Sequence, residues 1–470
     1  MSTRFPATHR QKKTQDNQIE QTRTSLLHAD VNLIYRYYLV PTLGSALAMS
    51  IYSVIDSVAV GQYAGPAGSA ALAVVNPIYV IMSMIAFLFS TGGSVCFGNA
   101  IGEGDKKLAE EYFTISAIMC GGVTSTAWIV FRLWYREIFI FFGATEDVIP
   151  IAAEYGLWII RFFPVIVLPD FLSPFLRIDK DPIRAMTGVV TGGGINMFLD
   201  WLLVFPVGIG VKGAAIATVI GTAAQCTIML SHFASKRNHL KMAHIRKAWE
   251  VGKSVVTTGL AASLLDIGNV VTAILMNNEI SHFGGTVALG IYGVLNTVTM
   301  LFHALFVGVG QTIQPGVSIN YGAGEKERTA KFLHYAVITA MCMGIGFTAI
   351  GELMPSGIIK MFMKTTEEVI SVAPILVRIY FIAFPFLGYT VIAIYYLQSI
   401  LRTGYSNILA ISRSVILPTF FLSVLSKAFG ITGIFLAIPT SEITVSVIAS
   451  LYIIKVARQV LKDTDRLNNE

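Results

Sequence analysis

Runs of roughly 20 apolar residues recur along almost the whole chain, separated by short polar breaks. That is the length an α-helix needs to cross a hydrocarbon core about 30 Å thick. The runs fall at 34–60, 70–100, 108–131, 149–170, 182–205, 212–233, 251–278, 286–318, 328–353, 369–395, 403–425 and 430–456. The second and eighth are long enough to tilt or to extend past the bilayer. The pattern predicts an all-α integral membrane protein with about twelve transmembrane helices.

The runs come as two copies of one set. Asn76 recurs as Asn296, and Gly102-Glu103-Gly104-Asp105-Lys106 recurs as Gly322-Ala323-Gly324-Glu325-Lys326. Gly210-x-x-Gly213 recurs as Gly430-x-x-Gly433, Thr145 as Thr365, Asp147 as Glu367 and Ala217 as Ala437, all in one register with no net insertion. The one sizeable polar break inside the chain, Ser235 to Lys247, separates the copies. Each copy has an even number of spans and so enters and leaves on the same side. The two six-helix bundles are therefore parallel repeats, related by an axis along the membrane normal, an organisation typical of secondary transporters. The expected division is a polar tail at 1–30, a first lobe at 31–234, a linker at 235–250, a second lobe at 251–457 and a tail at 458–470.

Composition narrows the class. With 54% apolar and 13% charged residues and a mean hydropathy of +0.66, the chain is too apolar for a soluble enzyme of this size. The net charge of +6 does not indicate nucleic acid, because the basic residues sit in alternate loops. One side carries Lys106, Lys107, Arg177, Lys180, Arg184, Lys236, Lys241, Arg246, Lys326, Arg328 and both tails. By the positive-inside rule both termini are cytoplasmic, in a cell membrane and with a bacterial source expected. Cys96, Cys120, Cys226 and Cys342 lie inside apolar runs without metal-ligand spacing and read as small core hydrophobes. No Gly-x-Ser-x-Gly, His-Glu-x-x-His or P-loop occurs, so nothing points to an enzyme or to direct use of ATP.

Chemistry concentrates in acids within the runs, where a carboxylate costs roughly 2.5–3.5 kcal/mol on insertion scales and so generally serves a cavity. Asp56 and Asp200 lie five or six residues before Gly61 and Pro206, about 8–9 Å in from the outer edge of the bilayer. Thr218 reaches the same depth on the sixth span, and Asn196 lies one helical turn from Asp200 on the same face. Two carboxylates, an amide and a hydroxyl suit a hard cation such as Na⁺, or a proton shared by the acids. In the repeat register these positions map to Met276, Phe420, Ile438 and Ile416, so the cluster belongs to the first lobe alone. Asp266 and Asn269 on the seventh span are candidates for a cavity lining. His303 reads as a satisfied core residue. Arg161, Arg378, Arg413 and Glu442 have no partner assignable from sequence.

These residues carry a resemblance. Asp56-Ser-Val-Ala-Val-Gly61, Asn196-Met-Phe-Leu-Asp200, Gly210-Val-Lys-Gly213 through Thr218, Gln311-Thr-Ile-Gln314-Pro315 leading to Asn320-Tyr321-Gly322, and Gln398 to Arg402 follow in the order found in multidrug and toxic compound extrusion (MATE) transporters. The chain resembles the DinF/MepA-like branch of that family over residues 30–460. The resemblance implies a monomeric antiporter in contact with membrane lipids that exports cationic or amphipathic small molecules in exchange for H⁺ or Na⁺, with no other cofactor. It also implies cation coupling at Asp56, Asn196, Asp200 and Thr218, and adds Gln311, Gln314 and Asn320 to the candidates for the cavity lining. Asn269 stands about where the NorM-like branch carries an acid, so a Na⁺ site in the second lobe is not expected. The alternatives are a lipid-intermediate flippase of the same superfamily, which would favour a basic cavity, and a prenyltransferase-like membrane enzyme, which would need a second Asp cluster.

Overall fold

Local chemistry sets where the helices begin. Asp30 caps its helix by accepting from Asn32 N at 2.8 Å, Asp105 from Leu108 N at 3.0 Å and Asp181 from Arg184 N at 3.3 Å. The computed structural model describes residues 26–236, 238–283, 285–362 and 366–467, without the side chains of Pro66, Asp266, Thr286 and residues from 460 onward. The basic tail before residue 26, the last three residues and the Asp266 side chain lie outside the described residues.

The first lobe contains α1 (Val31–Gly65), α2 (Ala67–Gly102), α3 (Lys106–Leu133), the short α4 (Tyr135–Phe141), α5 (Ile149–Arg161), α6 (Phe163–Ile178), α7 (Pro182–Val204) and α8 (Val211–Leu230). The second contains α9 (Ala248–Phe283), α10 (Gly285–Gly322), α11 (Lys326–Leu353), α12 (Pro355–Phe362), α13 (Glu367–Phe381), α14 (Ala383–Ser399), α15 (Thr403–Ile411), a π-helical turn (Ser412–Ile416) and α16 (Leu417–Leu467). Ten helical stretches among the described residues are long and apolar enough to cross a membrane, and the α5–α6 pair, bent by 57°, makes an eleventh span. The stretch Thr403–Gln459 has 57 residues. At 1.5 Å per residue it would be about 85 Å long, far more than one bilayer. It breaks at Gly430 (φ 57°, ψ −134°), which makes it two spans and the total twelve.

The fourth span runs to Ile178 rather than ending near 170, because Pro169 and Pro174 are accommodated inside α6. Cys342 also departs from expectation. It is exposed on α11, not in the core. Neighbouring apolar side chains such as Ile338 and Ile345 are exposed as well, forming the face that a lipid bilayer covers.

The backbone repeats as well as the sequence. Six of the eight glycines at positive φ among the described residues fall in pairs: Gly65 (φ 61°) with Gly285 (φ 62°), Gly104 (φ 83°) with Gly324 (φ 78°), and Gly210 (φ 69°) with Gly430 (φ 57°). Each pair is one chain reversal made twice, and only glycine takes that conformation without strain. Between them the register slips. The non-glycine residues at positive φ, Lys180 and Leu401, are 221 apart, and their turns match bond for bond: Asp181 N to Leu176 O, and Arg402 N to Leu397 O. The extra residue enters at the break inside the fourth and tenth spans, where Phe163-Pro164 is answered by Ala383-Phe384-Pro385. Carried into the eleventh span, that offset would set Leu417 and Phe421 opposite Asn196 and Asp200 in place of Ile416 and Phe420. Both registers place apolar residues there, so the inequality of the lobes stands.

The lobes meet backbone to backbone at the end of the bundle that holds the 102–106 and 322–326 turns. A Cβ on Gly102 would lie 2.1 Å from Ile319 O, and one on Gly322 would lie 2.1 Å from Asn99 O. Asn99 and Ile319 are themselves repeat mates, so this is one contact read in both directions, as a pseudo-two-fold axis requires. Gly259 likewise approaches Leu88 O, and Gly92 approaches Val255 O. Around this crossing Asn99 donates to Ser399 O at 3.0 Å, Arg177 to Gln311, and Gln398 both accepts from Gln314 at 3.3 Å and donates to Thr258 O.

The linker lies on the first lobe. His232, fully buried, spans Asp179 Oδ2 (2.7 Å) and Asp181 Oδ2 (3.0 Å). Asp179 also accepts from His239 N at 2.8 Å, Ala243 N donates to Thr114 at 2.9 Å, and Arg246 Nε stands 3.8 Å from Glu111. Burial pushes the Asp181 carboxyl up, but hydrogen bonding from His232 and the charges of Arg184 and His232 outweigh it and hold it below its ordinary value.

Two outcomes follow. The lowered Asp181 stabilises the fold fully above its unfolded value of about pH 4, and that contribution is lost as pH falls through its native value. Asp181→Asn should therefore lower the melting temperature at neutral pH and lose that difference in acid. Gly102→Val and Gly322→Val should push the lobes apart at the crossing. Double electron–electron resonance between labels at Lys107→Cys and Glu327→Cys should show longer distances in both, with similar size because the contact is symmetric.

Candidate functional site

Helix α7 presents one face inward, with Gly192, Gly193, Asn196, Asp200 and Val204 buried, while Phe198 and Trp201 point out to the lipid side. Small residues let α8 close on that face. A Cβ on Gly221 would lie 2.6 Å from Gly192 O and 2.8 Å from Asn196 Cβ. The approach brings Thr218 to Asn196, whose Nδ2 donates to the Thr218 hydroxyl at 3.3 Å, while that hydroxyl donates to Ala214 O at 3.1 Å.

From α1, Asp56 faces the same interior. Tyr155 on α5 donates to Asp56 Oδ2 at 2.9 Å and lies 3.3 Å from the Tyr79 hydroxyl on α2. Four acceptor oxygens have no hydrogen-bond partner in the protein: Asp56 Oδ1, Asn196 Oδ1 and both carboxylate oxygens of Asp200. Buried acceptors are ordinarily paired, so these four unpaired oxygens in one lobe interior could hold a cation or a proton. The fit to a small hard cation rests on oxygen chemistry alone, with a partial shell of carboxylate and amide oxygens.

Other expected residues divide. Gln311 and Gln314 line the closed interlobe crossing with Arg177, around a space of only about 10 Å³. Asn320 lines no cavity there. It is fully buried and committed to Leu26 O (2.9 Å), Gly316 O (2.7 Å) and Arg328 Nε (2.8 Å), which fix the entry to α1. Asn269 faces a cavity inside the second lobe, not one between the lobes. His303 is not satisfied, since its Nε2 has no partner. Arg413 pairs with Glu442 at 2.9 Å, Arg378 with Glu352 at 3.6 Å, and Arg161 lies over the Trp158 ring.

Sequence reading missed Tyr155 and Tyr79, which carry no signal apart from being tyrosines in apolar runs. It also missed Asp170, hidden by ending the fourth span at that residue. Asp170 lies in the same lobe, on α6.

A polytopic bundle of two parallel six-helix lobes, with unpaired acids inside one of them, is a membrane transporter. The MatE family model matches residues 41–202 and 267–422, and the chain belongs to that family. It is thus a transporter and not an enzyme, which removes the prenyltransferase-like alternative. Among similar proteins, multidrug export protein MepA of Staphylococcus aureus (strain NCTC 8325 / PS 47) is 21% identical over 442 residues, covering 92% of this chain and 95% of the relative. MepA of Staphylococcus saprophyticus is 22% identical over 435 residues, 90% of this chain and 94% of the relative. A MATE structure in the straight conformation superposes with a TM-score of 0.87 at 20% identity, over 93% of this chain and 99% of that one. An outward-facing multidrug resistance MATE transporter of the MOP superfamily gives 0.86 at 20% identity, over 93% and 98%. These likenesses establish the fold as that of the MATE transporters.

Gly221→Val should overpack the α7–α8 crossing, where strain of this kind costs about 1–3 kcal/mol. The expected result is a lower melting temperature together with a displaced Asn196, whose Cβ lies only 2.8 Å from the added one.

Proposed function

We propose that the protein is a secondary antiporter of the cell membrane that exports cationic or amphipathic small molecules in exchange for H⁺ or Na⁺. The observation that carries this reading is the set of four unpaired acceptor oxygens on Asp56, Asn196 and Asp200. In a low-dielectric interior such acceptors favour a state that binds a cation, and a ligand shifts a conformational equilibrium by its difference in affinity between states. The relatives named as multidrug exporters support the cargo class, and the alternating basic loops support cytoplasmic termini. On that orientation the closed Gly102–Gly322 crossing is cytoplasmic and the structure is outward-facing. Cargo then leaves from this state, and cation binding at Asp56 and Asp200 drives the return. A monomer contains every part of this cycle. A lipid-intermediate flippase is less well supported, because the first-lobe interior is lined by acids.

The test is dye efflux from proteoliposomes under an imposed pH gradient and then an imposed Na⁺ gradient. Asp200→Asn should reduce gradient-driven efflux to leak level. Because neither Asp200 oxygen has a protein partner, removing its charge also removes a desolvation cost, so its melting temperature should hold or rise. Normal efflux by Asp200→Asn would overturn the site. No dye movement by the unmodified chain under either gradient would overturn the cargo class.

A further inference from the structure

The second lobe has its own polar interior, unlike that of the first. A cavity of about 180 Å³ opens among α9, α10, α13, α14 and the eleventh and twelfth spans. For comparison, an apolar cavity of about 150 Å³ accommodates a benzene molecule. Among the described residues its charged lining is one guanidinium and one carboxylate, Arg413 and Glu442, 7% and 5% exposed. Arg413 Nε stands 2.9 Å from Glu442 Oε1, yet its N–H is not aligned for a hydrogen bond, and Glu442 Oε2 has no partner at all. His303, 8% exposed, keeps Nε2 free, and Asn296, Tyr292 and Tyr380 complete the polar and aromatic wall.

The pair is poorly explained as a brace. Opposite charges buried between two helices hold them no better than apolar residues of the same volume, because both lose their hydration. Here the hydrogen-bonding capacity that would offset this loss is left open toward a cavity. Backbone geometry adds an independent sign. Arg413 lies in the π-helical turn Ser412–Ile416, a distortion frequent at functional sites. That turn is held in place: Thr272 donates to Ser414 O at 3.2 Å, Ser414 donates to Leu264 O at 3.0 Å, and Gly268 leaves room for Ser414.

We propose that this cavity is a binding site for a small zwitterion carrying an amine and a carboxylate, no larger than an amino acid. The ammonium donates to Glu442 Oε2 and takes the side of the tyrosine rings, whereas the carboxylate accepts from Arg413. A ligand with both charges exchanges the internal ion pair for two external ones and leaves no buried charge alone. A monocation or monoanion satisfies one partner and strands the other, which is the costly case. The site is independent of the first-lobe cation reading, since it is defined by binding and not by coupled transport.

The test is equilibrium binding of a matched triple to the full-length chain in nanodiscs: L-valine (zwitterion), L-valinamide (cation) and isovalerate (anion). Valine should bind about tenfold or more tighter than either analogue, as expected for loss of one desolvated charge contact. Arg413→Gln should erase the preference of valine over valinamide, and Glu442→Gln its preference over isovalerate. A purely structural ion pair would alter neither preference selectively. If a single variant fails to fold, the double variant Arg413→Gln/Glu442→Gln leaves no unpaired charge and should lose valine binding while still folding. Valinamide binding as tightly as valine would make this a cation site and overturn the proposal. So would absence of binding by all three, or valine binding unchanged in the double variant. First-lobe failure remains separable, because Asp200→Asn should leave valine binding intact.

Discussion

The contact on which the rest of the architecture depends is the crossing of α2 and α10 at Gly102 and Gly322. There two peptide backbones approach with no side chain between them. In a bilayer, helices gain little from excluding lipid, so close packing and polar contacts must hold them together. Small residues permit that packing, and the closed crossing lets Arg177, Gln311, Gln314 and Gln398 find one another. The same closeness makes the contact easy to lose as a unit. Backbones that interlock through glycines carry few interdigitating side chains to disengage.

Symmetry supplies the frame, and its breaking supplies the chemistry. The paired left-handed glycines, the paired breaks at the fourth and tenth spans and the reciprocal Gly102–Gly322 contact are shared features of the two lobes. Interior charge is not shared. One lobe holds Asp56, Asp170 and Asp200, and the other an Arg413–Glu442 pair whose arginine lies in a π-helical turn. Helix packing depends on small residues and turn geometry, so it survives duplication. Interior side chains carry no such constraint, and they are free to diverge once the frame holds.

Much of this was legible in the residues because a bilayer imposes a length and a polarity on every span. The apolar runs gave the helices, and the spacing of Asn196 and Asp200 placed both on one face of α7. What was not legible came from contacts between distant segments. Nothing in the sequence pairs Arg413 with Glu442, aims Tyr155 at Asp56, or assigns Asn320 to the entry of α1. Local irregularity was equally hidden: the extra residue at Ala383-Phe384-Pro385 shifts the register at the Lys180 and Leu401 turns without changing the apolar pattern. Prolines that α6 tolerates made the fourth span look shorter than it is, and Asp170 was overlooked as a result.

The linker's attachment has a mechanical consequence. His239, Ala243 and Arg246 fix the segment to the first lobe, so the two halves are not joined by 13 residues of slack but by the short stretch after Arg246 that leads into α9 at Ala248. A tether that short acts as a fulcrum. It excludes wide separation or sliding of the lobes and leaves rotation about one corner of the molecule. Any movement that opens the Gly102–Gly322 crossing must swing the second lobe around that corner, with displacement growing with distance from it.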